Sequence, residues 1–291
     1  LRRRHPALKV NRTTTLHPFW SREPLTLVIN LDDRPQRWAD TVAAAASCLP
    51  VDSLIRFSAI RGTHISGFGT APWFHGRPRD NTWAGRAGCL LSHRNAIARA
   101  EAEKTDWLLI FEDDIVFTLD FDPCLRALAP LLEEDPDWAV CYLGFCDPLG
   151  PFQTLRQLTS QHTLHRIGGA NTTHAYLLPR RVFVPLLAAL PTETTVWPWI
   201  ARHRAIDRWY GRHLGDFGKV LAVSPSIVNQ RVGLSDITCR DTGEDNSAGQ
   251  RTTIGSDSFL PALRRANRKL CVLLSDVWDG VRAKNKQRNG F

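Results

Sequence analysis

At 291 residues, 43% hydrophobic and 23% charged, the chain has enough apolar material for one α/β domain with terminal extensions. Its net charge of +8 sits at the ends: residues 1–22 hold six basic and no acidic side chains, and residues 258–291 hold eight basic and two acidic. Residues 23–257 are mildly acidic, which argues against a nucleic-acid-binding body and leaves basic ends suited to an anionic membrane surface, to nucleic acid or simply to solvent.

In chain order, residues 1–24 read as a basic arm. Leu25–Leu31 is an apolar run of strand length, and Asp32-Asp33-Arg34-Pro35 turns the chain into a helix from Gln36 to about Cys48. Leu54–Ala59 is a second strand, and this order predicts an α/β layered fold with a mostly parallel sheet flanked by helices. Residues 61–85, rich in Gly, Pro and aromatics, read as a long functional loop. Then come a helix over Ala87–Glu103, a strand Trp107–Phe111, a helix Asp122–Glu134 capped by Asp122, and a strand Trp138–Leu143. A strand His174–Leu178, helices Arg180–Leu190 and Ala205–Leu214, and a strand Lys219–Val223 complete a body spanning 25–240. Residues 241–258 are polar and glycine-rich, a linker, and 259–291 form a basic amphipathic helix and tail.

The seven cysteines form no CxxC pair and lie mostly in apolar runs, which favours a reducing compartment. No apolar run is long enough to span a membrane. The expected location is cytoplasmic, peripheral at the inner face of a membrane, or a secretory lumen if an N-terminal anchor has been trimmed.

The sharpest chemical signal is LLIFEDDI, Leu108–Ile115, in which Glu112, Asp113 and Asp114 follow an apolar strand directly. Ligands bind beyond the carboxyl ends of strands in open α/β sheets. Three adjacent carboxylates repel unless a cation or protons intervene, and oxygen donors suit Mg²⁺ or Mn²⁺. Asn30, Arg34 and Arg37 stand where the first strand meets its helix, a place for a nucleotide base, ribose or phosphate. Ser92-His93 in Gly88–His93 lies within a predicted helix and lacks a third triad partner. Asp207 near a helix start is placed to accept a proton from an acceptor hydroxyl or, equally, to serve the helix dipole. Gln230, Ser235 and Asp236 lie in a polar stretch after a strand.

Taken in order, these segments resemble glycosyltransferase family 25, which includes lipooligosaccharide and procollagen galactosyltransferases. The matching pieces are Ile29–Arg37, Gly88–His93, Leu108–Asp114, Ala175–Tyr176 and Pro225–Ile237. The resemblance implies a GT-A-type nucleotide-sugar-binding fold, a divalent ion (Mn²⁺, or Mg²⁺) and transfer with inversion from a nucleotide sugar, most commonly UDP-galactose. It implies metal ligation chiefly by Asp114 with Glu112, and donor or nucleotide contacts from Asn30, Arg34, Arg37, Ser92, His93, Glu112, Asp113 and Gln230. Asp207 is the first choice for catalytic base and Asp236 the second. The acceptor would be a glycan, a lipid-linked sugar or a protein hydroxyl. Competing readings are a metal-dependent phosphotransferase or hydrolase, an inactive family member serving as a scaffold, and a nucleic-acid-binding protein using the basic ends.

Overall fold

A computed structural model of the chain describes residues 24–231, 253–254 and 261–291. Most of the N-terminal arm and of the linker, together with Ser235 and Asp236, lie outside the described residues.

Ten strands and seven α-helices are described: β1 Leu25–Asn30, α1 Pro35–Ala45, β2 Leu54–Ser58, α2 Asp80–Ala102, β3 Trp107–Glu112, β4 Ile115–Phe117, α3 Phe121–Glu134, β5 Trp138–Gly144, β6 Gln153–Gln157, β7 Thr163–Ile167, β8 Ala175–Pro179, α4 Phe183–Ala189, α5 Val196–His203, α6 Ile206–His213, β9 Lys219–Ser224, β10 Val228–Gln230 and α7 Pro261–Asn289. Eight strands form one sheet in the order β2-β1-β3-β8-β5-β9-β7-β6, and β10 pairs with β4 beside it. Six of the eight run in one direction; β8 and β7 are reversed, so the sheet is mostly parallel as expected.

The period-two alternation of the central strands explains why both faces are covered. Leu27, Ile29, Leu108, Ile110 and Tyr176 face a core shared with α2, α4, α5 and α6. Val28, Leu109, Phe111, Cys141 and Leu177 face a second core with residues of α3 such as Leu125 and Leu128 and with Ala45 of α1.

Several expectations change. The segment expected as a long loop ends early, because α2 already begins at Asp80. Asp120, not Asp122, is the cap residue of α3, and Pro123 therefore lies a turn's depth inside. β4 and β10 are three residues each, and β6 is exposed throughout, so neither length nor alternation marks them in the sequence. α5 is only eight residues long and carries Pro198 in its first turn, so its one buried face, Val196, Trp197, Ile200 and Ala201, is too short to stand out in the sequence.

The C-terminal segment is not a detached tail. The helix expected within 259–291 runs to Asn289, and Phe291 beyond it is 1% exposed. Its ring stacks on Trp83 of α2 at 4.8 Å and lies 5.2 Å from Phe74. Arg77 and Arg79 donate to its main-chain oxygen. Burying one phenylalanine contributes about 2–3 kcal/mol, enough to hold the helix end to the domain.

Candidate functional site

The site forms at the carboxyl edge of β1 and β3. These strands are parallel with Ile29 opposite Glu112, so Asn30 comes level with Asp113. β8 runs antiparallel to β3, and Glu112 N–H donates to His174 O at 2.9 Å, which brings the start of β8 to the same edge. Thr173 and His174 arrive by this route and carry no signal in the sequence.

Glu112 and Asp113 leave the strand on opposite faces, as the pleat requires. Glu112 turns toward α2. His93 Nε2 lies 3.3 Å from Glu112 Oε1, and Thr173 Oγ1 donates to the same oxygen at 2.7 Å. The carboxylate only accepts, so Nε2 donates to it, and Nδ1 is hydrogen-bonded with Tyr176 Oη, 2.8 Å away. Burial pushes the Glu112 carboxyl up. The bonds from His93 and Thr173 and the proximity of His174 more than reverse this and hold it below its ordinary value.

Asp113 turns toward α1. Asn30 Nδ2 donates to Asp113 Oδ2 at 2.6 Å and Arg37 Nη1 pairs with Oδ1 at 3.1 Å. Thr41 Oγ1 donates to its main-chain oxygen. Burial still keeps the carboxyl above its usual range. Asn30 is 1% exposed, and its other contacts are Arg34 O and Arg56 Nε. It therefore clamps Asp113, with both amide hydrogens and the amide oxygen engaged within the protein. Arg34 sits half-buried at the entry of α1.

Asp114 follows in a turn. Gln230 Nε2 lies 3.5 Å from Oδ2, while Oδ1 is buried and has no hydrogen-bond partner. Burial, then the charges of Glu112 and Asp113, push this carboxyl up to about 7. An orphaned buried carboxylate oxygen is a donor that suits a hard divalent cation, while Glu112 and Asp113 turn to opposite faces. Asp114 would be the principal ligand. The two bonds described for Glu112 both fall on Oε1.

The Gly88–His93 segment acquires a structural reading. A Cβ at Gly88 would stand 2.3 Å from Ile60 O and 2.7 Å from Gly62 N, so glycine lets α2 lie against the chain after β2. Ser92 Oγ accepts from Ile60 N–H at 2.8 Å and donates to Gly88 O at 2.7 Å. With 1% exposure it fastens this contact from within the core. His93 is the member of the pair that reaches the site.

Asp207, in the first turn of α6, is half-buried. Burial raises its carboxyl, the Arg208 N–H at 2.6 Å opposes the rise, and the charge of Glu112 adds to it. Its charge also acts on Arg86 and Cys89 of α2. The structure thus brings Asp207 within electrostatic reach of Glu112, although 95 residues separate them in sequence. Two groups of potential ligands occur among the described residues: Cys89, His93 and Glu112 at this edge, and His203, His213 and Asp276 among α5, α6 and α7.

Residues 24–137 match the family model described as glycosyltransferase family 25 (LPS biosynthesis protein). The match contains Asn30, Arg37, Gly88, His93 and the carboxylate triplet, and it supports a glycosyltransferase. Tyr176, Asp207 and Gln230 lie beyond the matched stretch. No curated protein matches the chain. Among solved structures, it is similar to mannose-1-phosphate geranyltransferase from Thermus thermophilus, with 14% identity, 74% and 76% of the two chains covered and a TM-score of 0.33. It is also similar to A197 from STIV, with 10% identity, 82% and 97% covered and a TM-score of 0.37. A glycosyltransferase involved in glycosylating the major capsid of PBCV-1 gives 9% identity, 77% and 97% covered and a TM-score of 0.37. TM-scores this low carry no argument about the chain. No helix among the described residues is long and apolar enough to cross a membrane.

Proposed function

We propose that the chain transfers a hexose, with galactose the first candidate, from a UDP-sugar to an acceptor hydroxyl with inversion of configuration. The observation that carries this reading is Asp114, whose Oδ1 is buried and unpartnered and whose carboxyl is pushed up to about 7 beside Glu112 and Asp113. Bound Mn²⁺ or Mg²⁺ would neutralise the donor diphosphate and the charge developing on the leaving nucleotide. Asn30, Arg37 and Thr41 hold Asp113, and through it the turn that aims Asp114. His93 and Thr173 keep Glu112 ionised and oriented toward the donor side.

In a single displacement, a base takes the acceptor proton as the hydroxyl attacks the anomeric carbon opposite the diphosphate. Asp207 fills that role on this reading: burial raises its carboxyl, which strengthens it as a base, and the charge of Glu112, on a separate element, acts on it. Asp207→Asn is expected to lower kcat roughly 10²–10⁴-fold with little change in donor KM.

The same reading places the protein at an anionic membrane. Leu270, Leu273, Leu274, Val277, Trp278 and Val281 form an exposed apolar stripe on α7, flanked by Lys269, Arg282, Lys284 and Arg288. That pairing of an apolar stripe with cations suits the headgroup boundary. Flotation with anionic liposomes that is equal with and without residues 258–291 would remove this part.

The deciding experiment is nucleotide release from a panel of UDP-, GDP- and CMP-sugars with Mn²⁺ or EDTA, with Asp114→Ala beside the parent. Mn²⁺-dependent release from one UDP-sugar, lost in the variant, is expected. No release and no thermal shift with any nucleotide sugar would favour the scaffold reading.

A further inference from the structure

Away from the carboxylates, α2, the end of α5 and α7 enclose a pocket lined by Arg79, Arg202, Arg204, Arg282 and Lys286, with Asp279 its one carboxylate. Asp279 is already shared among cations. Arg212 lies 2.7 Å from it, Arg208 3.6 Å and Arg282 3.8 Å. The lining therefore holds more positive charge than its own carboxylate balances. Burial, then the charges of Arg204 and Arg86, pull the Lys286 ammonium down to about 8, with Asp279 opposing.

Arg204 adds a backbone argument. It closes α5 with φ +74°, a left-handed conformation that glycine adopts freely and that other side chains disfavour. An arginine at this position meets both backbone strain and like charge. Folding alone gives no reason to prefer it to glycine, whereas an anion in the pocket does. The neighbourhood also adjoins the reaction edge. Lys286 Nζ and the Arg86 guanidinium both lie over the Trp83 indole, at 4.1 and 4.9 Å, and the charge of Arg86 acts on Asp207.

We propose that this pocket binds a phosphate-class dianion and, resting on the transfer reading above, that the dianion is a phosphate group carried by the acceptor. The convergence of guanidinium and ammonium groups is the donor set that phosphate oxygens use. A phosphate at this place would put the acceptor beside α6, whose first turn carries Asp207.

The test is calorimetric titration of the full chain with inorganic phosphate, for the parent, Arg204→Gly and Arg202→Gln. Arg204→Gly removes a cation and relieves the left-handed residue, so it is expected to melt no lower than the parent. Its phosphate affinity is expected to fall roughly tenfold, the loss of one charge-assisted contact. Arg202→Gln, at an exposed position, is expected to weaken binding in the same direction. Equal affinity in all three proteins, or no binding by the parent at millimolar phosphate, would overturn the proposal. Phosphatidylglycerol vesicles separate the two sources of phosphate. Vesicle binding that free phosphate displaces and Arg204→Gly abolishes would assign the anion to a lipid headgroup and overturn the acceptor clause. Vesicle binding indifferent to Arg204→Gly would support that clause. Donor hydrolysis by the parent is read separately. Phosphate binding without hydrolysis would leave the pocket standing and sink the transfer reading, and hydrolysis without phosphate binding would do the reverse.

Discussion

Replacing Gly88 with alanine separates close packing from helix propensity. In the interior of α2 alanine is favoured over glycine by about 1 kcal/mol. Against that, the new Cβ would stand 2.3 Å from Ile60 O and 2.7 Å from Gly62 N, both main-chain atoms that cannot rotate away. Overpacking of this kind costs about 1–3 kcal/mol. Moving α2 back also stretches the 2.8 Å bond from Ile60 N–H to Ser92, worth about 1 kcal/mol. The net expectation is a loss of about 2 kcal/mol, or a melting temperature lower by about 3–4 °C for a chain of this size. Gly280 in α7 is the control, since an added Cβ there meets nothing within 4 Å. Gly280→Ala is expected to stabilise by about 0.5–1 kcal/mol. Both variants are read by urea denaturation against the parent. If Gly88→Ala proves as stable as the parent, the close approach of α2 to the chain after β2 is not what Gly88 serves.

Three other outcomes follow from the same geometry. Tyr176→Phe removes the hydroxyl bonded to His93 Nδ1 and leaves a fully buried ring nitrogen without its partner, so unfolding free energy should fall by about 1–3 kcal/mol; an unchanged urea midpoint would show that Nδ1 finds another partner. Asn30→Ala removes the clamp on Asp113 and leaves Arg56 Nε without its acceptor, and should cost about 1–3 kcal/mol while weakening Mn²⁺ binding; stability and Mn²⁺ affinity both at the parent level would show that Asn30 is not the clamp. The third concerns pH. Lys286 is pulled down to about 8 in the fold from an ordinary value of 10.5, so between these values the unfolded chain binds more protons and this group's contribution to stability rises with pH. Phosphate affinity should fall over the same window as the ammonium discharges. The groups facing it are Arg79 just before α2, Arg86 on α2, Arg204 at the end of α5 and Asp279 on α7. Titrations at about pH 7 and about pH 9.5 that give equal affinity would exclude Lys286 from the site.

Much of the site was legible because its signals are local. An apolar run ending in Glu112-Asp113-Asp114 marks a strand and its carboxyl edge wherever the strand pairs. The β1–α1 turn and the helix carrying His93 are likewise read from periodicity within a dozen residues. Other roles depend on pairing between distant segments. Asn30 meets Asp113 because β1 and β3 align in parallel with Ile29 opposite Glu112, and Thr173 meets Glu112 because β8 enters the sheet reversed. No local pattern encodes a register between segments 83 or 61 residues apart.

Clustered carboxylates at a strand end of an α/β sheet could be read before any fold was known, because strand and helix periods and the repulsion among adjacent charges are properties of neighbouring residues. What each residue does there came from the packing of distant segments. It buried Ser92 as a clasp and turned Asn30 inward onto Asp113. It docked Phe291 against Trp83 and gathered the cations of three separate helices around Arg204. Each of these follows from which faces pack together once the whole chain has excluded water, and that choice belongs to the assembled core.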